Sequence, residues 1–252
     1  MISSTSGITL ITGALGSIGK ATAQKFSAEG RSLFLVDRDP VELEKFCATL
    51  NHATCRAMDA TDTKSVAMLF DDIGNHLEYV VLAVGIEGEI EDFSLSSDEI
   101  FQNVMNVNVM SVWLGLKHAL RILGSKKSGS IAVLASISGT IAAPKMASYC
   151  ASKHAVMGLV RTAAREYGDR NIRVNAVCPG PVDSAMMDRI DANLQERYPE
   201  RLKGNTNAKA SIPLRRYTTP DEIADSLSFL CSPASSFITG TAFMVDGGIT
   251  CR

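Results

Sequence analysis

Short runs of aliphatic and β-branched residues alternate with longer stretches of helical periodicity along the whole chain. ITLIT at 8–12 reads as a strand, followed by a helix over 17–29. A strand at 32–37 leads to a helix over 41–50, opened by Pro40. A strand at 54–58 precedes a helix over 63–74. Residues 78–84 (EYVVLAV) are almost continuously apolar, as expected for a central parallel strand covered on both faces. Ser96-x-x-Glu99 has capping-box spacing and predicts a long helix over about 97–124. A strand at 130–135, a helix over 148–168 and a strand at 172–178 follow. Thr219-Pro220-Asp221-Glu222 is a second capping box, starting a helix to about 231, and the last strand spans about 241–245. Strands joined by helices imply right-handed crossovers and an α/β, doubly wound sheet of about seven parallel strands. One stretch, 183–218, breaks the rhythm. It is too long for a simple connection, and such insertions at strand carboxyl ends usually shape a ligand site.

Composition narrows this picture. A length of 252 residues permits one or two domains, and 46% hydrophobic residues suffice for a large core. Lys plus Arg is 25 against 27 for Asp plus Glu, a formal charge of -2, which argues against a nucleic-acid partner bound through its phosphates. The longest apolar run, 79–86, is far short of the ~20 residues that span a bilayer. The MISSTSG start has neither a basic region nor a cleavable apolar stretch, so a cytoplasmic protein is expected. The six cysteines contain no C-x-x-C pair and the four histidines no H-x-x-x-H pair, so no metal site is expected.

The first strand runs into Thr12-Gly13-Ala14-Leu15-Gly16-Ser17-Ile18-Gly19 and then a helix. Glycines there let a pyrophosphate approach helix N–H groups, where the helix dipole also favours negative charge. Taken alone, G-x-x-G-x-x-G also suits a plain strand-to-helix turn. Asp37, closing the second strand, stands near the ~20-residue offset of an acid that holds a ribose 2′-OH. A carboxylate there repels a 2′-phosphate, so NAD is favoured; adjacent Arg38 keeps NADP open.

Tyr149 and Lys153 stand at i and i+4, on one face of the predicted helix. A phenol titrates near 10, and lowering that by about three units takes ~4 kcal/mol of preferential phenolate stabilisation. A nearby ammonium and a cationic nicotinamide ring supply charges of the required sign. Such a tyrosine can exchange a proton with a substrate oxygen while hydride moves, and Ser136, at the end of the preceding strand, can hold the same oxygen. By itself the Tyr–Lys pattern reads first as an exposed helix pair.

The joint arrangement resembles the classical short-chain dehydrogenase/reductase family over almost the whole chain. The matching segments are TGALGSIG (12–19), MDATD (58–62), VNV (107–109), LASISG (134–139), YCASK (149–153), RVNAVCPGPVDS (173–184) and ITGTAFMVDGG (238–248). The resemblance implies a single Rossmann-type domain over 1–252 with a substrate-loop insertion at about 183–218. It makes Tyr149 the general acid/base, Lys153 its activator and ribose ligand, Ser136 the substrate-orienting hydroxyl and Asn108 the holder of a relay water. Gly13, Gly16, Ser17, Ile18 and Gly19 then cradle the cofactor phosphates, while Asp59 and Ala60 lie against adenine. Gly85 survives from the strand-four motif, and Pro179, Gly180, Val182 and Ser184 line the nicotinamide side. It also implies a homotetramer. Three positions depart from the family pattern. Ser17 replaces a glycine, with Gly16 one place earlier. Leu82-Ala83-Val84-Gly85 replaces N-N-A-G. Ser184 replaces a threonine.

Ala142, Ala143, Pro144, Met146, Pro181, Met186 and Met187 flank the expected chemistry and suit a small or medium neutral ketone or secondary alcohol, or else plain packing. The acidic run Glu87, Glu89, Glu91 and Asp92 either steers a cationic substrate or is a solvated loop. Cys150 and Cys178 read as small packing residues. The expectation is an NAD-dependent enzyme interconverting a secondary alcohol and a ketone. The alternatives are an NADPH-dependent carbonyl or 3-ketoacyl reductase and, in another class, a non-catalytic dinucleotide-binding protein.

Overall fold

The computed structural model describes residues 7–199 and 208–251. Its centre is a sheet of seven strands: β1 (Ile8–Thr12), β2 (Ser32–Asp37), β3 (Ala53–Ala57), β4 (Leu77–Leu82), β5 (Gly129–Leu134), β6 (Ile172–Pro179) and β7 (Ala242–Val245). All pairings are parallel, in the order β3-β2-β1-β4-β5-β6-β7. Alternate residues of each strand supply opposite faces. Ile8 and Leu10 enter one core with α3 (Thr63–Ile73), α5 (Ser111–Lys126) and α6 (Ala147–Tyr167). Ile11 enters the other with α1 (Ser17–Ala28), α2 (Pro40–Cys47) and α8 (Pro220–Leu230). This double burial explains why the central strands read as unbroken apolar runs. The order reverses between β1 and β4, opening a crevice at their carboxyl ends.

The predicted helix over 97–124 is α4 (Asp98–Met105), a π-helical segment (Asn106–Met110) and α5 in sequence. Its N-cap is Ser97, not Ser96: the Ser97 hydroxyl accepts from the Ile100 amide at 3.3 Å. Ser96 instead donates to the Asp92 carbonyl at 3.1 Å. The predicted second helix stops at Cys47 rather than residue 50. Within the expected insertion at 183–218, the chain forms α7 (Ala185–Arg197), although 200–207 lie outside the described residues. A bridge between Val182 and Thr218 ties the base of this excursion, through Asp183 N–H to Thr218 C=O at 2.8 Å and Thr218 N–H to Pro181 C=O at 3.0 Å.

The capping box before α8 forms as read, with Thr219 Oγ accepting from Glu222 N–H and Glu222 accepting from Thr219 N–H. Thr219→Ala should cost about 1 kcal/mol. For a chain of this size that lowers the thermal midpoint by about 2–4 °C, measurable by circular dichroism. An unchanged midpoint would mean that packing alone fixes the start of α8.

Candidate active site

The first turn closes on itself through backbone contacts. A Cβ on Gly19 would lie 2.0 Å from the Gly13 carbonyl oxygen, so α1 can start here only on glycine. Gly13 has φ +72 and lies so close to the end of β4 that a Cβ would meet the Ala83 backbone at 2.8 Å. Gly16 is under no such constraint: a Cβ there would have only ordinary contact at 3.4 Å. It is the N-cap of α1 and provides no side-chain cap, which leaves the first-turn amides of Ser17, Ile18 and Gly19 available to an anion. The Asp37 carboxylate stands over this turn. One oxygen accepts from Leu15 N–H and the other from Arg38 N–H, each at 2.8 Å. An uncapped helix start, a cradle that a Cβ would fill and a fixed carboxylate beside it fit a dinucleotide.

Asp59 and Ala60 follow β3 on the same sheet edge, where Met58 N–H donates to the Asp37 carbonyl at 2.8 Å. Asp59 spends one oxygen on a local turn, accepting from Thr61 N–H and Oγ, and Ala60 is buried. In place of the two asparagines after β4 the chain has apolar packing: Leu82 fills the space above Gly115 of α5, where a Cβ would come within 2.6 Å of it. Gly85 abuts the centre of the site, with Lys153 Nζ at 3.4 Å and Asn108 Oδ1 at 3.5 Å from the position of a Cβ.

Asn108 sits in the π-helical segment and is fully buried. Its Oδ1 accepts from Ile86 N–H at 2.8 Å, and its Nδ2 donates to Ile86 C=O at 2.9 Å and Ser152 Oγ at 3.0 Å. Its amide thus fastens the segment after β4 to α6. Ser136 leaves β5 in an extended conformation and caps a short turn, accepting from Ser138 N–H at 3.1 Å. That turn reaches α6 at Gly139, whose Cβ would lie 2.8 Å from the Lys153 carbonyl oxygen. Neither Ser152 nor Gly139 stood out in the sequence; the fixed spacing inside YCASK and LASISG was the available signal.

Tyr149 and Lys153 face the Ser136 turn from the start of α6. Lys153 is buried, donates to the Leu134 carbonyl at 2.9 Å and lies 5.5 Å from the Tyr149 ring centroid. Burial pulls its ammonium down to about 8. Burial also pushes the Tyr149 phenol up to about 12; the Ser136 hydroxyl opposes this and Glu87 adds to it. The expected depression of the phenol by Lys153 is therefore absent from the protein alone, where desolvation is the largest influence on Tyr149. The Tyr149 ring keeps some accessible surface, although its surroundings are mostly protein.

On the far side, Pro179 ends β6 and Gly180 N–H donates to Val245 C=O at 3.0 Å. Val182 is buried, and Ser184 caps α7, accepting from Met187 N–H at 3.4 Å while donating to Val182 C=O at 3.1 Å. The acidic run is not a solvated loop. Glu87 Oε1 accepts from Arg189 Nε at 2.5 Å, and Glu91 pairs with Arg197, both from α7. Among the described residues no cluster of His, Cys, Asp or Glu could hold a metal ion, and no helix is long and apolar enough to cross a membrane.

Comparison with known proteins agrees with this geometry. Residues 13–250 match the family model described as enoyl-(acyl carrier protein) reductase. The chain is 34% identical to 2-(S)-hydroxypropyl-CoM dehydrogenase 3 of Xanthobacter autotrophicus (strain ATCC BAA-1158 / Py2), covering 95% of each chain. Among solved structures it resembles levodione reductase, with a TM-score of 0.88, 29% identity and 98% of each chain covered. It also resembles an actinorhodin polyketide ketoreductase solved with NADPH, with a TM-score of 0.89, 26% identity and 100% of each chain covered. Fold, motif order and this breadth of likeness agree: the chain belongs to the short-chain dehydrogenase/reductase family of oxidoreductases.

Proposed function

We propose that the protein interconverts a secondary alcohol and a ketone with NAD(H), Tyr149 acting as general acid/base. The observation that carries this is the meeting of Tyr149, Lys153 and Ser136 at the same sheet edge as the uncapped turn and Asp37. A nicotinamide cofactor held by the first turn, Asp37 and Lys153 would supply the hydride chemistry at the substrate carbon. Tyr149, protonated at neutral pH, is positioned to give its proton to the ketone oxygen while the Ser136 hydroxyl donates a hydrogen bond to that oxygen. Lys153 brings a buried ammonium beside the phenol; by favouring phenolate it makes Tyr149 a stronger acid toward the ketone and, in reverse, a readier base. Asn108 and Gly85 fix the wall against which Lys153 rests.

Asp37, with both oxygens held by backbone amides at the turn, supports NAD. A second reading, an NADPH-dependent carbonyl or ketoacyl reductase, rests on exposed Arg38 beside it and on the NADPH in the ketoreductase neighbour. Half-buried Met146, Met186 and Met187 suit a small or medium neutral substrate. Met110 and Trp113, large apolar side chains exposed on one face at the start of α5, support assembly with further copies into a homotetramer. Six free cysteines suit a reducing cytoplasm.

Tyr149→Phe should lower turnover of a ketone by about 10²–10⁴-fold while NADH binding, read by fluorescence, is retained. Unchanged turnover would overturn the assignment. Asp37→Ala should erode the preference for NADH over NADPH by about 10-fold or more in kcat/KM, as loss of a hydrogen-bonding carboxylate predicts. A wild-type enzyme that already prefers NADPH would favour the second reading. Ketone reduction should hold steady at low pH and fall as pH rises through about 8, where Lys153 loses its proton. A profile flat to pH ~10 would mean that the Lys153 charge does not act on the phenol during reduction.

A further inference from the structure

The helix that follows Ser184 beside the site, α7, has no fully buried residue: Met186, Met187, Ile190 and Leu194 are only half-buried, so hydrophobic burial holds it weakly against the body. Its attachments are polar and mostly concentrated on the segment after β4. Arg189 donates to Glu87, and eight residues on, about 12 Å along the axis, Arg197 pairs with Glu91 and donates to the Ile90 carbonyl at 2.9 Å. Tyr198 donates to the same Glu91 carboxylate at 2.9 Å. The receiving side is rigid by contrast. Side chains of Glu87 and Glu91 are only 15% and 13% exposed, and Ile90 between them is buried. Glu91 N–H donates to the Lys145 carbonyl at 2.9 Å, Asp92 pairs with the Lys145 side chain, and Glu89 accepts from Ser97 N–H at 2.7 Å. From the other side, Tyr217 Oη donates to Asp191 at 2.8 Å, and the Lys145 ammonium lies 4.2 Å from the Tyr198 ring centroid.

We propose that Glu87 and Glu91 are positioning residues that, through Arg189 and Arg197, latch α7 over the active site and so set its affinity for substrate. The strip does not serve to steer a cationic substrate, because α7 supplies its counter-charges. Two ion pairs whose arginines are 58% and 43% exposed weaken with salt, so the closed fraction falls as ionic strength rises. Apparent affinity falls by the same fraction, whereas the bound complex retains its chemistry. The kinetic consequence rests on the proposed reductase activity, but the latch itself does not.

The test reads α7 directly and then kinetically. In Glu91→Gln, hydrogen exchange at amides 185–197 should quicken about fivefold while those of α6 stay unchanged, and KM for a neutral ketone should rise about fivefold with kcat within about twofold. Raising salt from about 0.02 M to about 0.5 M should produce the same changes in the wild type for neutral and cationic ketones alike, and much smaller ones in Glu87→Gln/Glu91→Gln. Exchanging the charges, Glu91→Arg with Arg197→Glu, should restore protection and KM. Unchanged exchange over α7 in Glu91→Gln, a loss confined to kcat, or salt sensitivity undiminished in the double variant would each overturn the latch. If no ketone is reduced, the exchange measurements still decide it, separately from the enzymatic reading.

Discussion

Backbone pressed on backbone at the first turn sets the position of everything else in the site. Gly13 lies against the end of β4 with no room for a Cβ, and Gly19 lies closer still to Gly13. These contacts bring the start of α1 to the switch point of the sheet, where β1 parts from β4. The helix can then direct free amides into the crevice because its cap, Gly16, supplies no side chain to them. Glycine at the first and last positions of the turn answers a steric demand, while glycine at the middle one leaves a helix end unsatisfied. Ser17 in place of a further glycine is consistent with this: it sits exposed in the first turn of α1, where a side chain meets no such restriction.

The wall opposite depends on a single buried amide. The wide turn of the π-helical segment carries Asn108 inward, and its side chain binds both backbone groups of Ile86 and the Ser152 hydroxyl. Ser152 in turn donates to the Tyr149 carbonyl at 2.7 Å. A hydrogen-bonded path therefore runs from the end of β4 through the π turn to the backbone of the proposed acid, with Gly85 giving the room for Lys153 alongside. The missing asparagines of the strand-four segment do not break this path, since Ile86 enters through its main chain. Leu82 adds apolar packing against α5 in their place.

The sequence made local arrangements legible and left distant ones hidden. Tyr149 and Lys153 share one helix face by spacing alone, and the Thr219–Glu222 box was found to the residue because its bonds are short-range. At Ser96-Ser97 the sequence offers two adjacent caps, and the path of the preceding loop chooses between them. Glu89 takes the Ser97 amide and Asp92 takes the Ser96 hydroxyl, so only Ser97 is free to cap. The π segment has no pattern of its own in NVNVM; the bonds that reward it come from Ile86 and Ser152. The acidic run was visible, but its meaning depended on arginines 102 and 106 residues further on.

Electrostatics join the two halves of the site. The same burial that lifts the Tyr149 phenol to about 12 lowers the Lys153 ammonium to about 8, because a poorly solvated space penalises either charge alone. A phenolate beside an ammonium is the ionised combination that such a space penalises least, since the two charges offset each other at short range. The groups are thus better suited to ionising together than singly. Among the charges acting on Tyr149, Glu87 opposes phenolate, and it is the same carboxylate that Arg189 of α7 engages. Even with Arg189 engaged, Glu87 keeps raising the phenol, so the phenolate depends on the positive charge beside it, the Lys153 ammonium.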